Sequence, residues 1–273
     1  MALSVLNFES KYLNGNTYVS IILPDRPRKT EPSDFYGGNK KYKVLWLLHG
    51  TFGDHSDWLR RSNIETYACE RELIVVMPSV QNSDYSNWPK FACGFDAEKF
   101  LIDELMPLVY NWFPASDKRE DNFIAGLSMG GQGAARYAAW YPEKFAAAAI
   151  LSGSPNNWRE LSDTWKAMPR TENQIEAEGG LDGLLASHTN IWDRIGELAG
   201  TGKLPKLYIT SGTEDFLYEE WYLPFKQYAL EIGLDATFEE LEGYRHEWRF
   251  WDLTIQRALD FFGLEVKDFG NEF

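Results

Sequence analysis

Short apolar runs that alternate with longer helical stretches constrain the fold of this chain more than any other feature. Trp46-Leu47-Leu48 and Ile74-Val75-Val76-Met77 are continuous apolar runs, as expected of parallel strands buried on both faces. Strands that alternate with helices predict a mostly parallel sheet with helices on both faces. We therefore expect a single α/β domain over residues 1–273.

The strands and helices can be placed from apolar patterning and from turn residues. The predicted strands are Tyr18–Leu23, Val44–His49, Leu73–Pro78, Asn122–Leu127, Ala147–Ser152, Lys206–Ser211 and Thr237–Leu241. The predicted helices are Ile64–Arg71, Lys99–Trp112, Gly130–Trp140, Trp221–Ile232 and Arg249–Phe262. Tyr18–Leu23 alternates more than the other runs and is predicted to be an edge strand. Residues 24–43 are polar and predict a surface loop between two antiparallel strands.

Residues 155–203 interrupt this alternation. They carry Trp158, Trp165 and Trp192 with several glycines, and they predict short helical pieces without a clear strand. We expect an insertion, or lid, over the carboxyl ends of the strands, where open α/β sheets bind ligands. A surface decoration with its own small core is the alternative.

The net charge and the cysteine content limit the classes of partner and ligand expected for this chain. The net charge is −14, which argues against nucleic acid and anionic membrane surfaces and favours neutral small-molecule substrates. The only two cysteines, Cys69 and Cys93, form neither a disulfide framework nor a metal-binding spacing. No apolar run is long enough to span a membrane and no secretion signal is recognisable, so we expect a cytoplasmic protein.

The strongest chemical signal is the segment Gly126-Leu127-Ser128-Met129-Gly130. It follows an apolar strand and precedes an alanine-rich helix, so the serine lies at a tight strand-to-helix turn. Glycines two residues to either side allow the close approach that this strained turn needs. Ser128 is therefore predicted to be a nucleophile, although a serine that only caps the helix is the simpler alternative.

A serine hydroxyl needs a base, and a base needs an orienting carboxylate. With this turn the expected chain order is serine, acid, histidine. His246 lies between a predicted strand and the last helix, whereas His188 lies inside the insertion, so His246 is the predicted base. Asp215 follows the strand Lys206–Ser211 and is the predicted acid, with Glu214 as the alternative.

Two backbone N–H groups are needed to stabilise the oxyanion of a tetrahedral intermediate. Met129, directly after the serine, is one predicted donor. Thr51, in the loop after the strand that ends at His49, is the other, and Phe52 is a less favoured alternative. His49 is predicted to be structural. His55 could contact substrate, although a solvated surface histidine is the default.

These motifs resemble those of the esterase D branch of α/β-hydrolases, which includes tributyrin, acetyl and feruloyl esterases and S-formylglutathione hydrolases. The resemblance runs through most of the chain, including an HGxxGxxxxW pattern that ends at Trp58. Its matching segments are Leu48–Asp54, Val75–Pro78, Asp103–Leu105, Lys118-Arg119, Ile124–Gly131, Gly212–Asp215 and His246–Trp248. The resemblance implies the α/β-hydrolase fold, a triad of Ser128, Asp215 and His246, and hydrolysis of short-chain acyl esters. Thr51-Phe52-Gly53 departs from the cysteine-containing loop typical of S-formylglutathione hydrolases.

The expected activity is that of a serine carboxylesterase for short-chain acyl esters, with aromatic acyl esters as the alternative substrates, and without a metal or an organic cofactor. Alternatives on the same triad are an acyltransferase and a thioesterase, and a non-catalytic binding protein is a further one. A homo-oligomer is compatible with the sequence. Candidate walls of the substrate pocket are Trp88, Phe95, Trp158 and Trp192.

Overall fold

The computed structural model describes residues 2–267 and contains one large sheet and a short ribbon. The sheet strands are β1 (Ala2–Ser10), β2 (Gly15–Leu23), β3 (Val44–Leu48), β4 (Ile74–Pro78), β7 (Asn122–Leu127), β8 (Ala147–Leu151), β9 (Lys206–Gly212) and β10 (Ala236–Leu241), and β5 (Asn87–Trp88) with β6 (Phe95–Asp96) forms the ribbon. The sheet order is β1-β2-β4-β3-β7-β8-β9-β10. The strands from β4 to β10 in this order are parallel, whereas β1 and β2 are antiparallel to their neighbours. The predicted mostly parallel sheet is therefore confirmed.

Helices cover both faces of the sheet. They are α1 (Pro32–Tyr36), α2 (Asp57–Arg61), α3 (Ile64–Glu70), α4 (Ala97–Lys99), α5 (Met106–Trp112), α6 (Met129–Trp140), α7 (Asp163–Lys166), α8 (Pro169–Ala177), α9 (Leu181–Leu185), α10 (Ile191–Leu198), α11 (Leu223–Glu231) and α12 (Trp248–Phe261). Val44 and Trp46 of β3 belong to a core with α5, α6, α10 and α11, whereas Leu45 and Leu47 belong to a second core with α3 and α12. Successive residues of a strand face opposite sides, which gives the sheet these two cores.

The prediction that Tyr18–Leu23 is an edge strand is wrong. β1 pairs with β2 along its whole length and takes the edge position. Apolar periodicity misses β1 because Leu3 and Val5 are exposed while Leu6 and Phe8 pack on the core. Apolar residues on both faces of this strand hide the period of two that identifies a half-buried strand.

Two of the predicted helices contain a wider π-helical turn. The stretch Lys99–Trp112 runs through a π turn at residues 100–105 into α5, and a second π turn at 218–222 leads into α11. Pro107 and Pro224 are the second residues of α5 and α11. Proline has no N–H to donate and clashes with the carbonyl four residues earlier, and a wider preceding turn accommodates both.

Residues 155–203 contain α7 to α10 and, as predicted, no strand. Cys69 and Cys93 are both free thiols. Among residues 2–267, no helix has the length and apolar character needed to cross a bilayer, and no three His, Cys, Asp or Glu side chains are grouped to hold a metal ion. The cytoplasmic location stays a prediction.

Candidate active site

Ser128 occupies the turn between β7 and α6. Its φ of 52° and ψ of −119° form a backbone conformation that residues with a side chain rarely adopt. A Cβ at Gly126 would lie 2.2 Å from the Gly130 carbonyl oxygen, and a Cβ at Gly130 would lie 2.5 Å from that of Leu48. Glycine at both positions therefore permits the close approach of strand and helix that exposes the serine hydroxyl.

Ser128, His246 and Asp215 form a continuous chain of hydrogen bonds. Ser128 Oγ lies 2.9 Å from His246 Nε2, and His246 Nδ1 lies 2.9 Å from Asp215 Oδ2. Asp215 follows β9 and His246 follows β10, so two loops from neighbouring strands bring these side chains to the serine turn. Because a carboxylate only accepts, His246 donates from Nδ1 and its Nε2 is left to accept the serine proton.

Asp215, rather than Glu214, is the carboxylate that meets His246. The Asp215 side chain has no exposed surface and also accepts a hydrogen bond from the Leu217 N–H at 2.9 Å. Glu214 is exposed and forms an ion pair with Arg245. The burial and the second bond of Asp215 hold its carboxylate in one orientation.

The loop that starts at Gly50 lies against the serine turn. A Cβ at Gly50 would lie 3.4 Å from Ser128 Cβ, so backbone atoms of this loop come close to Ser128. The Phe52 N–H donates to Asn82 Oδ1 at 2.8 Å. That bond occupies the alternative oxyanion donor and holds Phe52 in its left-handed conformation, with φ of 64°.

The N–H groups of Thr51 and Met129 are the two predicted oxyanion donors. Within the described residues, neither group donates to a protein acceptor. Met129 is the first residue of α6, where the N–H groups have no acceptor inside the helix. Thr51 and Met129 both line the pocket that contains Ser128, so both N–H groups are available to a substrate oxygen.

His49 has a structural environment. Its Nδ1 donates to the Gly50 carbonyl at 2.7 Å, and its Nε2 accepts from the Val80 N–H at 3.1 Å. Burial lowers the pKa of His49 to about 4, so the ring is neutral at pH 7. Both nitrogens are occupied, which leaves His49 unable to act as a base.

The two remaining histidines lie away from the serine. His55 bonds Ser20 Oγ at 2.7 Å and stacks on Tyr18. His188 Nδ1 lies 2.5 Å from Glu98 Oε1, and its ring stacks on Trp140 with centroids 3.8 Å apart. Within the part of the chain that the structure describes, neither histidine lines the pocket around Ser128.

A pocket of about 540 Å³ surrounds Ser128 and His246. About half of its lining residues, Met129 among them, are aromatic or apolar, and Asp57, Arg61, Asp84 and Arg170 add charged groups. Phe216 and Trp251 lie on two sides of the His246 ring, with centroids 4.7 and 4.9 Å away. The other aromatic and apolar walls are Phe52, Leu127, Trp165, Met168, Leu217, Trp221 and Trp248. Such walls suit an uncharged ester group.

Trp88 and Phe95 are not part of this pocket. They line a neighbouring cavity of about 470 Å³ that shares Thr51, Phe52 and Arg170 with the pocket around Ser128. The prediction placed them at the substrate because aromatic residues in loops are typical of ligand sites. Composition alone does not distinguish one cavity from the next.

Trp158 and Trp192 also lie outside the pocket. Trp158 lines a cavity of about 90 Å³ beneath the insertion. Trp192 stacks on Tyr228 with centroids 4.3 Å apart and packs edge-on against Phe225. Trp192 is therefore a packing residue between α10 and α11, and Trp165 is the insertion tryptophan that reaches the pocket around Ser128.

Arg170 of α8 contacts the loop that starts at Gly50, and no sequence pattern predicted this. Its guanidinium pairs with both carboxylate oxygens of Asp84, and its Nη1 donates to Thr51 Oγ1 at 2.9 Å. An arginine in a polar helix is usually solvated, so no single-sequence signal identifies this contact. Arg170 thereby connects the insertion to Thr51.

Known esterases and serine hydrolases are similar to this chain over nearly its whole length. An acetyl esterase of Caldicellulosiruptor saccharolyticus is 33% identical over 95% of this chain and 97% of its own. A fluorophosphonate-binding serine hydrolase of Staphylococcus aureus, FphF, is 30% identical, with a TM-score of 0.77 over 98% of this chain and 99% of its own. The S-formylglutathione hydrolase FrmB of the same organism is 30% identical, with a TM-score of 0.79 over 97% and 99%.

The family assignment rests on most of the chain. The model of the Esterase family, described as "Putative esterase", matches residues 10–260. The matched range includes the serine turn, the loops with Asp215 and His246, and seven complete strands of the main sheet. The chain therefore belongs to this esterase family, has the α/β-hydrolase fold and is a carboxylic ester hydrolase.

Proposed function

We propose that this protein hydrolyses short-chain acyl esters, of the acetyl or butyryl kind, with Ser128, His246 and Asp215 as its catalytic residues. The observation that carries the proposal is the unbroken hydrogen-bond chain from Ser128 Oγ to the buried Asp215 carboxylate. The similarity to an acetyl esterase over nearly the whole chain supports a small acyl group.

The reaction has two steps. Ser128 attacks the ester carbonyl while His246 Nε2 takes the hydroxyl proton, and His246 then protonates the departing alcohol. Water attacks the resulting acyl-enzyme with the same proton transfers and releases the acid. In both steps the N–H groups of Thr51 and Met129 would stabilise the negative oxygen.

A short thioester is the second candidate. The similarity to an S-formylglutathione hydrolase favours it, because formyl is a smaller acyl group than acetyl and would pass through the same kind of acyl-enzyme. The segment Thr51-Phe52-Gly53 counts against it, because it lacks the cysteine that this loop typically contains in S-formylglutathione hydrolases.

We also propose that residues 155–203 act as a lid within the single domain. Trp165, Met168 and Arg170 of this insertion line the pocket around Ser128. A segment that supplies walls to the substrate pocket is expected to influence which ester enters it. Substituting these pocket-lining residues of the insertion should therefore change substrate preference while the fold is retained.

Labelling with a fluorophosphonate probe tests the nucleophile, and p-nitrophenyl acetate, butyrate and octanoate test the acyl length. We expect Ser128 to be labelled, Ser128→Ala to be inactive, and kcat/KM to fall from butyrate to octanoate. Turnover of S-formylglutathione tests for a thioesterase. Product analysis of p-nitrophenyl acetate turnover with added alcohol tests for an acyltransferase. His188→Ala is the matched control for His246→Ala. Full activity of Ser128→Ala would refute the proposed mechanism.

A further inference from the structure

A second, smaller cavity lies between the insertion and α6. Its volume is about 90 Å³. Four buried nitrogen atoms of its lining residues have no hydrogen-bond partner within residues 2–267: Gln132 Nε2, Arg136 Nε, Gln174 Nε2 and Trp221 Nε1. A buried donor without an acceptor is destabilising, so four at one cavity indicate a missing acceptor.

Arg136 is the charged member of this group and is only 2% exposed. Its Nη1 donates to Thr189 Oγ1 at 3.3 Å, and Thr189 in turn donates to Glu178. Among the described residues, no carboxylate oxygen lies within 4.0 Å of its guanidinium nitrogens. Asp84 and Glu98 influence Arg136 from farther away.

Both of those carboxylates are already engaged by other groups. Asp84, which also lines the cavity, pairs with Arg170, and Glu98 accepts from Tyr141 and contacts His188. Their charges are therefore shared with closer partners, and the buried Arg136 guanidinium keeps unused donor capacity at Nε.

The chemistry of the four orphan atoms selects the class of ligand. All four are N–H donors, so their complement is a group that only accepts hydrogen bonds. A carboxylate meets this description, with two oxygens and about four lone-pair directions. Sugar hydroxyls fit less well because each also brings a donor. The volume accommodates a small carboxylate.

The cavity adjoins the catalytic pocket. Gln132 and Arg136 lie four and eight residues beyond Ser128 along α6, which places them about 6 and 12 Å from it along the helix axis. The shared walls of the two cavities are Asp84, Gln132, Trp165, Met168, Arg170 and Trp221. A group bound here is therefore close enough to belong to the same substrate or product.

We propose that this cavity is a carboxylate subsite, a deeper assignment that rests in part on the proposed esterase function. Its occupant is either the acid released by hydrolysis or the far carboxylate of a dicarboxylic half-ester. Both sources present the same acceptor group to Gln132, Arg136 and Gln174. The second source would make such half-esters preferred substrates.

Calorimetry on the inactive Ser128→Ala protein tests binding independently of catalysis. Acetate should bind saturably, whereas its neutral isostere acetamide should not. Trp221→Phe removes one N–H donor, and Gln174→Met removes the amide donors together with the Oε1 that accepts from Ser86 Oγ at 3.3 Å. Each should weaken acetate binding at least tenfold. Arg136→Met should weaken it further, with circular dichroism to verify the fold. Equal behaviour of acetate and acetamide, or unchanged affinity in the variants, would mean that the cavity holds ordered water only.

Kinetics on the active enzyme distinguish the two sources. Monomethyl esters of succinate, glutarate and adipate are compared with neutral methyl esters of matched length. A preference for the half-esters that falls at least tenfold in Gln174→Met assigns the subsite to the substrate. Acetate inhibition that Gln174→Met relieves, without such a preference, assigns it to the product. Loss of all hydrolysis in Ser128→Ala checks the proposed function separately.

Discussion

His246 Nδ1 lies within hydrogen-bond distance of both carboxylate oxygens of Asp215, at 2.9 and 3.1 Å. The contact fixes both the tilt of the imidazole ring and its tautomer. In Asp215→Asn an amide N–H can donate to Nδ1, which favours the tautomer protonated on Nε2 and blocks proton transfer from the serine. We expect kcat for p-nitrophenyl acetate to fall by about 10⁴-fold with little change in KM.

Glu214 provides the control for this substitution. It follows the same strand but is exposed and paired with Arg245. Glu214→Gln should keep kcat within about threefold, because an exposed ion pair contributes little. Equal losses in the two variants would contradict the assignment of Asp215.

Arg170 is expected to contribute to turnover through Thr51. Its hydrogen bond to Thr51 Oγ1 restrains the loop that carries one proposed oxyanion donor. Losing a whole donor costs 10²–10³ in kcat, so a looser donor in Arg170→Met should lower kcat about tenfold, a larger change than in KM. Steady-state kinetics measure both constants.

Two further variants separate positioning from general damage. Thr51→Val keeps the N–H and removes the hydroxyl, so it should reproduce the part of the loss that passes through Thr51 while leaving the Arg170–Asp84 pair intact. The double variant should be no slower than Arg170→Met. Arg159 pairs with Asp193 elsewhere in the insertion, and Arg159→Met should leave kcat unchanged. Additive losses in the double variant would refute the link.

Substitutions of Trp165 and Trp192 are expected to change different properties, namely substrate selectivity for Trp165 and the free energy of unfolding for Trp192. Trp165 lines the pocket with Phe216, so Trp165→Ala should change kcat/KM by about tenfold and alter the acyl-length profile. Trp192 packs on Tyr228, so Trp192→Ala should reduce the free energy of unfolding by about 2–3 kcal/mol. Urea unfolding and ester kinetics on both variants check this, and a selectivity change in Trp192→Ala alone would contradict it.

His49 makes stability depend on pH. Its pKa is about 4 in the folded protein, because of burial, against about 6.5 when unfolded. The unfolded chain therefore binds a proton first as pH falls. The stabilisation is complete above pH 6.5 and is lost progressively toward pH 4, amounting to about 3 kcal/mol.

A variant without the imidazole isolates this contribution. His49→Gln cannot titrate, so the difference in unfolding free energy between it and the parent protein should narrow as pH falls from 7 to 4. Urea unfolding at several pH values measures that difference. Parallel stability profiles for the two proteins would show that His49 is not the group responsible.

The features that could be predicted from the sequence are those that depend on local residue patterns and on the order of residues along the chain. The glycines around Ser128 and the order of Asp215 and His246 predicted which side chains meet in space. Arg170 and β1 were not predictable in this way. The contact of Arg170 with Thr51 spans 119 positions, and β1 is apolar on both faces. The role of Trp192 depends on helix packing, which residue type does not encode.

The backbone conformation of Ser128 implies that the turn which exposes the serine hydroxyl also lowers the stability of the folded protein. A left-handed residue with a side chain costs about 1–3 kcal/mol, and glycine relieves that cost while losing somewhat more entropy on folding. Both Ser128→Gly and Ser128→Ala lack the serine hydroxyl, and the glycine variant should therefore melt at a higher temperature than the alanine variant. Thermal unfolding of the two inactive proteins compares them directly, and an equal or lower melting temperature for the glycine variant would mean that the turn stores no strain. If the protein gains stability when its proposed nucleophile is removed, selection for activity has kept Ser128 in a conformation that folding alone disfavours.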